Sequence, residues 1–106
     1  MDVKSLIKNN IVFLDGAMGT MLQKAGLKLG ENPEILNITS PEIVENIYEQ
    51  YYKAGSNIIA TNTFGANRHK LSGCGYSVDE IITAAVKSAK NIANKYNGFV
   101  GLDIGP

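Results

Sequence analysis

A chain of 106 residues and 11.4 kDa is the size of one small domain and cannot hold two independent cores. Hydrophobic residues make up 44% and charged residues 19%, with ten basic and ten acidic side chains cancelling to zero, a composition that excludes a disordered chain and suits a soluble globular one. The neutral balance and a pI near 6.6 give no electrostatic footprint for nucleic acid or an anionic membrane, so neither is expected as a partner.

Residues 11–15, 57–61 and 99–103 are short apolar segments with the β-branched or aromatic character of buried parallel strands. The longest uninterrupted apolar run, 11–14, lies in the first of them and is far shorter than a membrane span of ~20 residues or the apolar core of a signal peptide. After this first strand, residues 18–25 suit a short helix closed by Gly26. The connection from Gly16 to Thr39 is long against the ~2–6 residues usual for a βα loop, so it is expected to carry structure and function. A longer helix follows, with Ile43, Val44, Ile47, Tyr48 and Tyr51 on one face and Glu42, Glu45, Glu49 and Lys53 on the other. Ser40 suits its N-cap, Pro41 its first position and Gly55 its stop. The second long helix carries a stripe of Val78, Ile81, Ile82, Ala85, Val86, Ala89, Ile92, Ala93 and Tyr96. Ser77 and Glu80 form a capping box at its start, and Lys87, Lys90 and Lys95 lie toward the end that favours cations. No linker, charge run or low-complexity tract divides the chain.

Strand, loop, helix, strand, helix, strand is an order that forces parallel pairing through crossovers. The polar residues ending the three strands, Asp15, Thr61 and Asp103, recur at intervals of 46 and 42 residues. Such a β/α repeat suits a doubly wound sheet or a (β/α)8 barrel, and because the barrel needs ~250 residues, the chain on that reading is a fragment of about three β/α units.

In parallel β/α folds, loops converge on the carboxyl ends of the strands, and sites form there. Asp15 suits a ligand ammonium group or a base, and equally a cap for the short helix after it. Gly16 and Gly19 permit close approach of a ligand to the backbone. The run Thr61-Asn62-Thr63-Phe64-Gly65 suits the wall of a small polar pocket, or else an Asx turn leading into a helix that begins near Ala66. Asp103 reads as a residue turning the chain into Ile104-Gly105-Pro106. The one cysteine, Cys74, closes no internal disulfide, which points to a reducing, cytoplasmic setting. Cys74 and His69, the only imidazole, fall short of the three protein ligands of a catalytic zinc, and His69 is expected on the surface of the helix after Ala66. No phosphate-binding loop or dinucleotide fingerprint is present, and Ala17 stands where a phosphatase of the haloacid dehalogenase type needs a second aspartate.

Four co-linear segments carry a more specific signal: residues 13–20 (FLDGAMGT), 34–37 (EILN), 54–66 (AGSNIIATNTFGA) and 103–106 (DIGP). Together they resemble the opening of the homocysteine S-methyltransferase domain family, with most likeness to the homocysteine-binding module of bacterial cobalamin-dependent methionine synthases. The resemblance implies that residues 1–106 are the N-terminal part of a (β/α)8 TIM barrel, with no second domain. It implies a zinc ion on three cysteine thiolates that keeps the homocysteine sulfur deprotonated, where a free thiol of pKa ~8.5 is mostly protonated, ready to accept a methyl group and form methionine. Nothing here matches those cysteines, so the metal ligands are expected outside this chain. Cobalamin and methyltetrahydrofolate, where used, are expected on other domains. By position, Asp15 matches the family's contact to the homocysteine amino group and Gly16 the adjacent backbone contact. Asn62, Thr63 and Phe64 match the loop that walls the pocket. The competing reading is a small, complete, non-catalytic α/β ligand-binding module, with the phosphatase a weaker alternative. On the barrel reading, the missing neighbours leave two sheet edges and their apolar side chains open, and the isolated chain is expected to be marginally stable or to associate.

Overall fold

The computed structural model describes residues 2–28 and 30–106. Its frame is two long helices, here α4 (Pro41–Lys53) and α5 (Val78–Tyr96), formed where the apolar stripes placed them. Pro41 occupies the first turn of α4 with Ser40 at the N-cap, although the Ser40 side chain makes no capping bond. Gly55 follows with φ of 112°, the left-handed stop expected of it. At the start of α5 both arms of the capping box close: the Glu80 N–H donates to Ser77 Oγ at 3.1 Å, and the Ser77 N–H donates to Glu80 Oε1 at 3.3 Å. The helix ends at Asn97, itself left-handed at φ 52°.

Three shorter helices precede this frame: α1 (Val3–Asn9), α2 (Met18–Lys24) and α3 (Leu36–Thr39), the last entered through a 3-10 turn at Pro33–Ile35. The long connection after the first predicted strand thus carries structure, as its length implied. The α1 helix was not legible in the apolar pattern; the Asp2 carboxylate caps it by accepting the Ser5 N–H at 2.8 Å.

The sheet is smaller than expected. Strands β1 (Ile58–Ala60) and β2 (Phe99–Gly101) pair in parallel, Ile58 opposite Phe99 and Ala60 opposite Gly101, with α5 as the crossover between them. The expected strand at 11–15 reduces to a single parallel bridge between Leu14 and Ile58. Its ladder is interrupted because the Asn57 side chain takes the Phe13 N–H at 2.9 Å, in place of a strand carbonyl. Among the described residues no neighbour covers the far side, and Ile11, Phe13 and Leu14 are 82%, 60% and 68% exposed. The helix expected near Ala66 is absent as well. Asn67 Oδ1 accepts the Lys70 N–H at 2.9 Å and holds 67–73 in turns, which leaves His69 exposed on a turn and not on a helix.

The core lies between α4, α5 and one face of the sheet. Val44, Ile47, Tyr48 and Tyr52 of α4 meet Ala89, Ile92 and Ala93 of α5 over Ile59, with Leu22 of α2 closing the end. Ala89 and Ala93 lie one turn apart in this cluster, so α5 presents a flat strip to the bulky α4 tyrosines. Tyr52 also stacks on Tyr96 with ring centroids 5.5 Å apart. Among the described residues no helix is long and apolar enough to cross a membrane.

Candidate functional site at the carboxyl ends of the strands

The carboxyl ends of the three parallel segments meet as the chain order required. Asp15 is fastened to β1 twice: its N–H donates to the Ile58 carbonyl at 3.1 Å, and its Oδ2 accepts the Ala60 N–H at 3.1 Å. The α2 helix instead begins after Ala17, with no side-chain cap, so Asp15 does not serve as its cap. Burial pushes the Asp15 carboxyl above its ordinary range; the N–H groups of Ala60 and of Asp15 itself pull it back, and the Asp103 charge adds to the rise.

Next to Asp15, an aromatic ring approaches the exposed Gly16 backbone on the side where a Cβ would stand. A Cβ there would lie 2.9 Å from the Tyr51 hydroxyl oxygen, which is itself fixed by donating to the Ala17 carbonyl at 2.8 Å. A side chain at this position would have to push the end of the Tyr51 ring aside, against that hydrogen bond, so glycine suits the close approach.

The loop after β1 is polar, with Thr61, Asn62 and Thr63 all buried. Its hydroxyls form a closed ring with Asp103. Thr63 Oγ1 donates to the Asp103 carbonyl at 2.6 Å, so the 2.7 Å contact between the two threonine hydroxyls uses the proton of Thr61, and Thr61 Oγ1 in turn accepts the Asp103 N–H at 3.2 Å. Asn62 is held from every side. Its N–H donates to the Tyr48 hydroxyl at 2.8 Å, its carbonyl accepts from Asn37 Nδ2 at 2.8 Å, and its own Nδ2 donates to the Pro33 carbonyl at 2.9 Å and to Asn37 Oδ1 at 3.1 Å. Buried Glu34 completes the clamp by accepting the Gly65 N–H at 3.1 Å.

Glu34 and Asn37 are thus structural partners of the loop, 31 and 25 residues away in sequence. Sequence reading noticed their segment only through the family motif. Phe64, by contrast, is 51% exposed, with the Lys70 ammonium 5.1 Å from its ring centroid.

These parts surround an open cavity of about 280 Å³, lined by Met18 and Gly19 from the first loop, Glu34 from the clamp, Asn62, Thr63 and Phe64 from the second, and Asp103 from the third. Three of the five sequence-predicted site residues line it; Asp15 and Gly16 do not. A larger opening of about 570 Å³ between Asn67 and Asp79 contains none of the five.

The metal that the resemblance implies finds no ligand set here. Among the described residues no group of three or more His, Cys, Asp or Glu side chains is gathered to hold a metal ion. The Cys74 thiol is engaged locally, donating to the Tyr76 carbonyl at 3.3 Å and accepting the Tyr76 N–H at 3.4 Å. These residues do not fit a metal centre.

The fold matches homocysteine methyltransferase MmuM from Escherichia coli, with a TM-score of 0.85 to its metallated form at 22% identity, covering 98% of this chain and 41% of that one. The oxidized form of MmuM gives 0.86 at 24% identity, covering 98% and 40%. The methionine synthases of Mycobacterium tuberculosis and Mycobacterium leprae are each 40% identical over 76 residues, covering 66% of this chain and 6% of those proteins. The chain therefore spans about two fifths of MmuM and a small part of the mycobacterial proteins. The homocysteine S-methyltransferase family profile matches residues 12–106, a stretch that includes all four motifs and every element of the site, and on that match the chain belongs to the homocysteine S-methyltransferase family.

Proposed function

We propose that this chain supplies the amino-acid end of a homocysteine pocket, in an enzyme that transfers a methyl group to the homocysteine thiol to form methionine. On this reading residues 1–106 are the first part of a (β/α)8 homocysteine-binding domain working in the cytoplasm. The zinc ligands lie outside these residues, as do the domains handling methyltetrahydrofolate and cobalamin in a methionine synthase.

The chain's own residues account for binding. Asp15 commits Oδ2 to the Ala60 N–H, leaving Oδ1 for a ligand ammonium group. Burial makes its negative charge costly, and a cation beside it offsets that cost, so binding and ionisation reinforce one another. The exposed Gly16 backbone offers a contact beside it. Asn62 and Thr63 act as wall more than as ligands, since the Asn62 amide protons and the Thr63 hydroxyl proton are used within the chain. Phe64 presents an exposed ring to the methylene chain that carries the thiol.

The observation that carries the reading is the family match over residues 12–106 together with the anchored Asp15 carboxylate at the strand ends. Isothermal titration of the purified protein with L-homocysteine tests it. Asp15→Ala is expected to weaken binding by about tenfold or more, the scale of one charge-assisted hydrogen bond. An unchanged dissociation constant in that variant, or no binding by the unaltered protein, rules the reading out.

A further inference from the structure

We infer that Asp103 is a second ligand for the substrate ammonium group, facing it from the cavity side while Asp15 faces it from the end of β1; this rests on the homocysteine reading above. Sequence reading made Asp103 a turn residue. The structure keeps that role for its main chain and leaves its side chain unoccupied.

Both main-chain polar groups of Asp103 are locked by the threonine ring, the N–H on Thr61 Oγ1 and the carbonyl under Thr63 Oγ1. The side chain is thus launched from a fixed frame, yet among the described residues its carboxylate makes no hydrogen bond or ion pair. Asp103 is one of the residues lining the cavity, with Asn62, Thr63 and Phe64. The other acid on that lining, Glu34, is already engaged with the Gly65 N–H. A half-buried carboxylate on a rigid frame, with no partner among the described residues and on a residue that lines a cavity, is preorganised for an incoming cation.

Its position relative to Asp15 strengthens the point. Asp15 is bonded to Ala60 and Asp103 to Thr61, so the two acids flank consecutive residues at the carboxyl end of β1. Two like charges held there by the fold repel each other, and a single ammonium group relieves both. The pair therefore selects an aminated thiol over the same thiol without its amino group.

The test compares L-homocysteine with 4-mercaptobutyrate, which has the thiol and carboxylate but no amino group. Binding of each is measured by titration calorimetry to the unaltered protein, Asp103→Asn and Asp103→Glu, at concentrations where light scattering shows monomer. Among the described residues the Asp103 side chain makes no bond, so these variants are expected to keep the unaltered circular dichroism spectrum. Asp103→Asn is expected to weaken homocysteine by about tenfold while leaving 4-mercaptobutyrate unchanged or tighter, and Asp103→Glu to recover part of the loss. Equal homocysteine affinity in Asp103→Asn, or a parallel loss for both thiols, overturns the assignment. If Asp15→Ala abolishes homocysteine binding and Asp103→Asn does not, the homocysteine reading stands and the Asp103 inference alone falls. A protein that binds neither thiol overturns both.

Discussion

Removing a single oxygen from the core links stability to the site. Tyr48 is fully buried at 0% exposure, and its hydroxyl oxygen accepts the N–H of Asn62, itself buried, at 2.8 Å. Burial pushes its phenol well above the ordinary range, so the group is neutral throughout the pH range of stability. Tyr48→Phe keeps the ring and its packing but leaves a buried backbone N–H without an acceptor, at a cost of about 1–3 kcal/mol. Tyr52→Phe is the control. Its hydroxyl donates to the half-buried Phe99 carbonyl at 2.8 Å, and a carbonyl within reach of water regains a partner, so the loss there is about 0.5–1.5 kcal/mol. Urea unfolding reads both as midpoint shifts at constant slope. Only the Tyr48 variant should also weaken homocysteine binding, because only it releases the main chain of the cavity wall. Equal destabilisation by the two variants, or unaltered homocysteine binding in Tyr48→Phe, would refute the claim that Tyr48 holds the site.

Asp15 should carry a cost to stability. Its carboxyl is raised in the folded protein, so the fold holds this proton more tightly than the unfolded chain does, and the stabilisation from the protonated form is lost as pH rises from below 3.8 through the folded value. Asp15→Asn, which keeps an acceptor for the Ala60 N–H, should therefore melt higher than the unaltered protein at pH 7 and close to it at pH 3; a lower melting temperature at pH 7 contradicts this. The uncovered apolar edge should drive association. Light scattering is expected to show a mass rising with concentration, reduced by Ile11→Lys at the most exposed position of that edge; a concentration-independent monomer contradicts it.

The helices were legible because their signals are local. A proline, a capping box and a stripe every 3.6 residues specify α4 and α5 without reference to the rest of the chain. The first strand was misread for a complementary reason. Its apolar run at 11–14 is real, but strand pairing needs a partner, and the Asn57 side chain interrupts the one it has. Asp15, Asn62, Thr63 and Phe64 could be singled out from strand ends and motif. What could not be read was the division of labour among them. The bonds that make Asn62 a clamped wall residue come from Glu34, Asn37 and Tyr48, and the contacts that free the Asp103 carboxylate come from threonines 40 and 42 residues away. Such pairings are products of topology, and no local spacing announces them.

The central claim is that homocysteine is held at the carboxyl ends of the strands, between Asp15 and the cavity lined by Asn62, Thr63, Phe64 and Asp103. Titrating the ¹⁵N-labelled protein with L-homocysteine and following its amide resonances tests this directly. The account predicts saturable shifts at Gly16, at residues 60–65 and at Asp103, with Asn67 to Asp79 and the body of α5 unmoved. Shifts centred on the larger opening between Asn67 and Asp79, or no saturable shift at all, would contradict it.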